Sequence, residues 1–393
     1  MIFLLRILAD MLWQYKSINI IVNIILLIVL IGIFIKNDKK ISKKTWVFMC
    51  ISSIFIICTC FSFFRLINED TFILLIKILG SFLILLYGIF YKNDIYKLIQ
   101  FLSTVSIIGI TFFLIISFFD FAYQYWGSVK TFYGVYYFKT DMALAIVIFL
   151  SFILADNRKK NLLKYLFCII ALYLVYLTNA RIHLVSTTFV ILIFISRHRL
   201  LGYNFKKILI YIPIFLLILV GTISIYNKFI GQDKLQINIS ISEGYDNANM
   251  QGRNVIWDAL FKHYNNNQFD KQLLGETLLT DNKIVSRFTI LDVDSHNTYI
   301  FLLISTGILG LITFIVLQFY ILKQFFYITR KTNKLDINRE DLIPVLFLTL
   351  AFFTIFLISS MTASSIKYQQ LTWFFMFFSG YLFNKRILNS YKE

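Results

Sequence analysis

Asp294-Ser295-His296-Asn297-Thr298-Tyr299-Ile300-Phe301-Leu302-Leu303-Ile304-Ser305-Thr306-Gly307-Ile308-Leu309-Gly310 passes from a charged stretch into an apolar one. No charged residue follows until Lys323. About 20 apolar residues suffice for a helix to cross the hydrocarbon of a bilayer. The junction therefore reads as a polar segment entering a membrane span, with an imidazole at the boundary. Upstream the polar segment reaches back to about Asn227 and holds Gly252-Arg253-Asn254-Val255-Ile256-Trp257 in its middle. On either side of it the chain is mostly apolar.

Composition agrees. Of 393 residues, 59% are hydrophobic, 18% aromatic and only 15% charged, with 2 prolines. Mean hydropathy is +0.74. A soluble chain of this length could not bury so much apolar surface. The net charge of +17 does not imply nucleic acid, because the Lys and Arg sit in short loops between apolar runs, as in polytopic membrane proteins. Anionic lipid is the partner such charge meets first. Cys50, Cys58, Cys60 and Cys168 fall in apolar runs and read as small core residues.

The expected fold is all-α, a polytopic bundle of transmembrane helices. Candidate spans lie near 18–35, 45–64, 71–91, 98–119, 141–155, 162–178, 182–196, 208–226, 296–322, 341–360 and 369–384. The count is about eleven, or twelve if residues 1–15, read as an interfacial or partial helix, add a span. Membrane helices then occupy 1–226 and 295–393, the second ending in a cytoplasmic tail, and 227–294 forms one large loop. Basic clusters at 36–44, 92–97, 158–164, 197–207, 330–339 and 385–392 alternate with charge-poor turns. The positive-inside rule puts these clusters in the cytoplasm and the large loop outside. In that loop Ile256, Trp257, Leu260, Phe261 and Tyr264 share one helical face, which could lie on the membrane with Trp257 at headgroup depth.

Several side chains could carry chemistry. Arg181, in a short turn between two apolar runs, is either a guanidinium fixed at the outer face to grip phosphate or a turn residue reaching water. Arg253 opens the loop helix, where a cation and free backbone N–H groups suit an anion; the alternative is a solvated surface side chain. His296 can exchange a proton with a hydroxyl, and Asp292 and Asp294 could orient its ring; the alternative is a helix-capping role for its turn. Lys130 and Lys139, in a Tyr-rich turn, could contact an anion. Lys77, inside the third span, reaches outward or faces a polar cavity. His183 reads as a packing residue, His198 as a surface residue, and His263 is open. No pair of His has metal-ligand spacing, and no Gly-rich phosphate loop is present, so neither a metal nor another cofactor is expected.

At this point the residues resemble a known family. His296-Asn297-Thr298-Tyr299, Leu302-Leu303 and Gly307-Ile308-Leu309-Gly310 resemble a run in the O-antigen polymerase and ligase superfamily. Gly252-Arg253, Ile256-Trp257 and Leu274-Gly275 resemble the motif of that family's large periplasmic loop, and Thr178-Asn179-Ala180-Arg181 resembles its Arg-bearing turn, with Ala180 where Ser is usual. The resemblance covers Thr178 to Gly310 and rests elsewhere on topology. It implies metal-independent glycosyl transfer at the outer face of the bacterial cytoplasmic membrane, from an undecaprenyl-diphosphate-linked oligosaccharide. Arg181 and Arg253 would hold the diphosphate, and His296 would activate the acceptor hydroxyl. Trp257, Asn297 and Tyr299, with Lys130 and Lys139, would contact substrate. A chain-length regulator and a flippase are the implied protein partners. Repeat-unit polymerisation is the first expectation, ligation to lipid A-core the second, and lipid-linked oligosaccharide transport the third.

Overall fold

The computed structural model describes residues 2–11, scattered helical positions between 21 and 32, 42–126, 129–200, 253–288, 294–334, 339–384 and residue 387. The candidate span at 208–226, most of that at 18–35, and residues 227–252 of the polar insert lie outside the described residues. What is described is mostly helical. Among the described residues, five helices are long and apolar enough to cross a membrane: Lys43–Phe64, Glu69–Phe90, Ile95–Ile116, Thr298–Thr332 and Leu342–Ser360. Two apolar helices, Asn161–Leu177 and Arg181–Ser196, are shorter. The chain divides into two compact units, the first made of Met1–Asn93, Asp246–Ile328 and Phe352–Glu393 and the second of Asp94–Tyr245 and Thr329–Ala351.

The first unit begins with α1 (Ile2–Met11), then α2 (Lys43–Phe64) and α3 (Glu69–Phe90). Ser42 caps α2 through a 3.1 Å bond from the Thr45 N–H, and Asn68 with Thr71 forms a capping box on α3. The same unit holds α13 (Gln369–Tyr381) near the end of the chain. It packs along α3, and two glycines allow this: a Cβ on Gly88 would strike the Phe377 carbonyl, and one on Gly380 the Leu85 carbonyl. Helix α1, expected as an interfacial or partial helix, packs against α13. Phe3 stacks on Phe374 at 5.0 Å, and Arg6 is buried, donating to Gln369 at 2.9 Å with its guanidinium 5.6 Å from the Trp373 ring. A partner for its charge and an aromatic groove for its apolar face explain why it buries.

The second unit holds α4 (Ile95–Ile116), a hairpin of β1 (Tyr123–Trp126) and β2 (Val129–Phe132), then α5 (Lys139–Ala155), α6 (Asn161–Leu177) and α7 (Arg181–Leu200). Helix α4 starts before the expected residue 98 because Asp94 caps it, accepting from the Tyr96 N–H at 2.8 Å. The antiparallel hairpin is a departure from the all-α expectation; β-branched and aromatic residues alternate there in what reads by composition as a turn. Helix α5 is buried on all sides from Met142 to Ala155, which accounts for its near-uniform apolar sequence. Lys164, expected in a cytoplasmic cluster, is buried, and its ammonium donates to the Leu154 carbonyl at 3.1 Å. A cation on the last carbonyls of α5 satisfies groups the helix cannot pair itself.

Residues 253–334 and 339–360 complete the helices: α8 (Arg253–Asn265), α9 (Phe269–Leu274), α10 (Thr280–Phe288), α11 (Thr298–Lys334) and α12 (Arg339–Ser360). Helix α11 is interrupted at Gly307, whose φ of 69° and ψ of −176° are not helical.

Candidate functional site

The site grows from the first unit, where the polar insert meets α11. Helix α8 turns its apolar face into protein. Ile256 and Leu260 are buried with Ile284 and Val285 of α10 and Ile300 and Ile304 of α11, with Trp257 and Tyr264 against them. Of the face expected to lie on the membrane, α10 and the first turns of α11 cover Ile256 and Leu260 and pack against Trp257 and Tyr264, while Phe261 stays 43% exposed. The polar side of α8 carries the exposed pair Asp258–Lys262 at 2.7 Å.

The end of the insert is fixed against α11 by backbone contact. Gly275 has φ 81°, and a Cβ there would collide with the Ser305 carbonyl. A Cβ on Gly307 would collide with the Leu273 carbonyl. The helix break exposes the Ile304 carbonyl, which accepts from the Glu276 N–H at 3.0 Å. Glu276 in turn accepts from Asn267 at 2.5 Å and lies 2.5 Å from His263 Nε2. The two glycine motifs of the sequence thus form a single joint, and His263 belongs to its bracing.

Above this joint lies the turn Asp294–Asn297. Asn297 is the N-cap of α11: its Oδ1 accepts from the Tyr299 and Ile300 N–H groups at 2.9 and 3.2 Å, and its Nδ2 donates to the Met361 carbonyl at 3.2 Å. Its polar atoms serve the fold. The Tyr299 hydroxyl donates to Gln318 of the same helix at 3.2 Å, so it too is engaged within the protein. Trp257 Nε1 donates to the Ser295 carbonyl at 2.9 Å, and the Ser295 N–H donates to Asp281 at 3.1 Å. Thr298 ties the turn to the Ala363 carbonyl at 3.1 Å. Held on these sides, His296 adopts φ 47°, a left-handed conformation uncommon for residues other than Gly.

Asp294 is the partner of His296. Its Oδ1 accepts from the His296 backbone N–H at 2.9 Å and lies 3.2 Å from Nδ1 of the ring, while the imidazole is 38% exposed. Its other oxygen meets Lys367, at 3.2 Å, and the same ammonium lies 3.4 Å from the buried Asp281. Burial pushes the Asp294 carboxyl up, but the charges of Lys367 and His296 and the His296 N–H outweigh it, so the group stays below the ordinary carboxylate range. Burial pulls Lys367 down, yet the two carboxylates prevail and hold it above the ordinary lysine value. Lys367 and Asp281 were not singled out in the sequence; Lys367 stands in a short polar turn and Asp281 in an unremarkable loop helix.

Of the other expected residues, Arg253 is the first residue of α8, one helical turn before Trp257. Its side chain lies outside the described residues, as do Gly252, Asp292 and the side chain of His198. Arg181 opens α7 in the second unit, where its charge acts on Lys139, the first residue of α5. Asn179, just before it, has φ 51°, which sets the sharp turn between α6 and α7. Lys130 of the hairpin is paired at 2.6 Å with Asp120 just before it, both side chains exposed. His183 is buried, in keeping with a packing role, and Lys77 is half-buried. Among the described residues no group of three His, Cys, Asp or Glu side chains is placed to hold a metal ion.

Asp294 places a carboxylate oxygen beside Nδ1 of His296, and Trp257 and Asp281 bond the backbone of Ser295 before it. Such an arrangement can take a proton from a hydroxyl brought to the ring. Neither a protein-family model nor a curated protein matches this chain.

Proposed function

We propose that this chain is a glycosyltransferase of the bacterial cytoplasmic membrane that polymerises polyprenyl-diphosphate-linked oligosaccharide repeat units at its outer face. The observation that carries the reading is the oriented Asp294–His296 pair at the point where the polar insert enters α11. An acceptor hydroxyl attached to a lipid would meet a base at that depth.

In this reading the acceptor hydroxyl gives its proton to His296 Nε2, the nitrogen opposite the Asp294 carboxylate. The hydroxyl oxygen bonds to the anomeric carbon as the bond from that carbon to phosphate breaks. The diphosphate leaves with the electron pair, and its neutralisation by Arg181 and Arg253 is carried by the family resemblance alone. Fixed cations aimed at developing charge are worth several kcal/mol, at about 1.4 kcal/mol per tenfold in rate. The proton then passes from His296 to water.

Deleting the gene and running surface polysaccharide on a gel tests this. A surface glycan reduced to a single repeat unit supports polymerisation. Bare acceptor with lipid-linked polymer accumulating would make the protein a ligase. Lipid-linked units trapped at the inner face would make it a transporter.

A further inference from the structure

Among the described residues, Lys367 is the cation in direct contact with both carboxylates that hold the His296 turn. Asp281 binds the backbone N–H before His296, at Ser295, and Asp294 binds the N–H of His296 itself. Lys367 bridges the two at 3.4 and 3.2 Å, and its ammonium lies 4.2 Å from the centre of the Phe301 ring on α11. The two oxygens of Asp294 are divided between tasks: Oδ2 meets Lys367 and Oδ1 meets His296. A carboxylate with one oxygen anchored cannot turn its other oxygen away from the imidazole without breaking the anchor.

We propose that Lys367 is a positioning residue for His296, its ammonium anchoring Oδ2 of Asp294 so that Oδ1 stays on the imidazole. This rests on the reading of His296 as the base. Lys367 itself need touch no substrate. Asp281, buried with its Oδ1 unbonded among the described residues, is the second half of the anchor and keeps Lys367 from following Asp294 alone. The charged groups facing Asp294 are then Lys367 from the turn after α12, His296 from its own turn and, across Lys367, Asp281 from α10.

The test is a double-variant cycle on the full chain in nanodiscs, labelled at the histidine ring carbons and titrated by NMR, with His296→Gln assigning the signal. With Lys367 present, Asp294→Asn should lower the His296 pKa by about one unit or more, the effect of removing a carboxylate at this range. In a Lys367→Met background the same change should lower it by less than half as much, whereas Lys367→Arg should keep most of the effect. Lys367→Met with Asp281→Asn balances charge and serves where Lys367→Met alone does not fold. An Asp294→Asn shift of equal size with and without the ammonium overturns the proposal. Transfer is read separately, as the length of the polysaccharide ladder from each variant in the deletion strain. A ladder unchanged while the pKa coupling is lost would uphold the positioning role and reject His296 as the base.

Discussion

A Cβ on Gly307 would stand 2.5 Å from the backbone nitrogen of Gly275. Both glycines have positive φ, and each occupies space that the other's chain segment needs. The approach lets Glu276 bond to the carbonyl exposed by the break in α11, and so fixes the insert to the helix that follows His296.

Alanine at either glycine should therefore cost about 1–3 kcal/mol for the backbone conformation alone, and more for the collision. Thermal melting of the purified variants checks this. Because the two share one contact, the double variant should lose less than the sum of the singles. Near-normal melting of Gly307→Ala would mean that the joint is not needed for the fold.

Much of this was legible beforehand. The apolar runs at 45–64, 71–91 and 341–360 match α2, α3 and α12 closely, because a span is declared by local composition. The proximity of Asp294 to His296 was likewise local. Lys367 and Asp281 were not legible, since their meeting depends on contacts across 86 residues of sequence. The packing of α8 against α10 and α11 was hidden for a related reason: an apolar helix face looks the same whether lipid or protein covers it. The burial of Arg6 and Lys164 was masked by the rule that Lys and Arg in apolar sequence reach for water. That rule fails where Gln369 or a helix-end carbonyl lies in range.

The Asp294–Lys367 ion pair implies a bounded pH range for stability. Asp294 sits below its ordinary value of 3.8, so its contribution is complete above that pH and is lost as pH falls through the lower folded value. Lys367 sits above its ordinary 10.5, so its contribution is complete below that pH and is lost as pH rises through the higher folded value. Melting temperature in detergent should form a plateau between these limits and fall beyond each. Asp294→Asn should flatten the acid limb. An acid limb unchanged by that substitution would show that other carboxylates set it.

Arg181 and Arg253 are expected to act as planar forks on phosphate. Arg→Lys at either position should then remove most transfer at normal protein level, because an ammonium cannot keep two parallel bonds to a phosphate. Arg→Ala should be at least as severe. Full polysaccharide from both Lys variants would make these arginines ordinary surface cations.

The outer placement of the polar insert is tested by labelling. With Cys50, Cys58, Cys60 and Cys168 replaced, a cysteine at Asn247 should react with a membrane-impermeant thiol reagent in intact cells, and one at Asn333 should not. The reverse pattern would invert the topology and place His296 on the wrong side for an external acceptor.

The central claim is that His296, oriented by Asp294, takes the proton of the acceptor hydroxyl. Turnover of purified His296→Ala on lipid-linked repeat units tests it most directly. General-base catalysis contributes about 10²–10⁴-fold, so the account predicts a residual rate lower by that factor with donor binding retained. His183→Ala and His263→Ala should be far milder, and the wild-type rate should fall as acid protonates the imidazole. Turnover of His296→Ala within a fewfold of the unaltered protein would contradict the account.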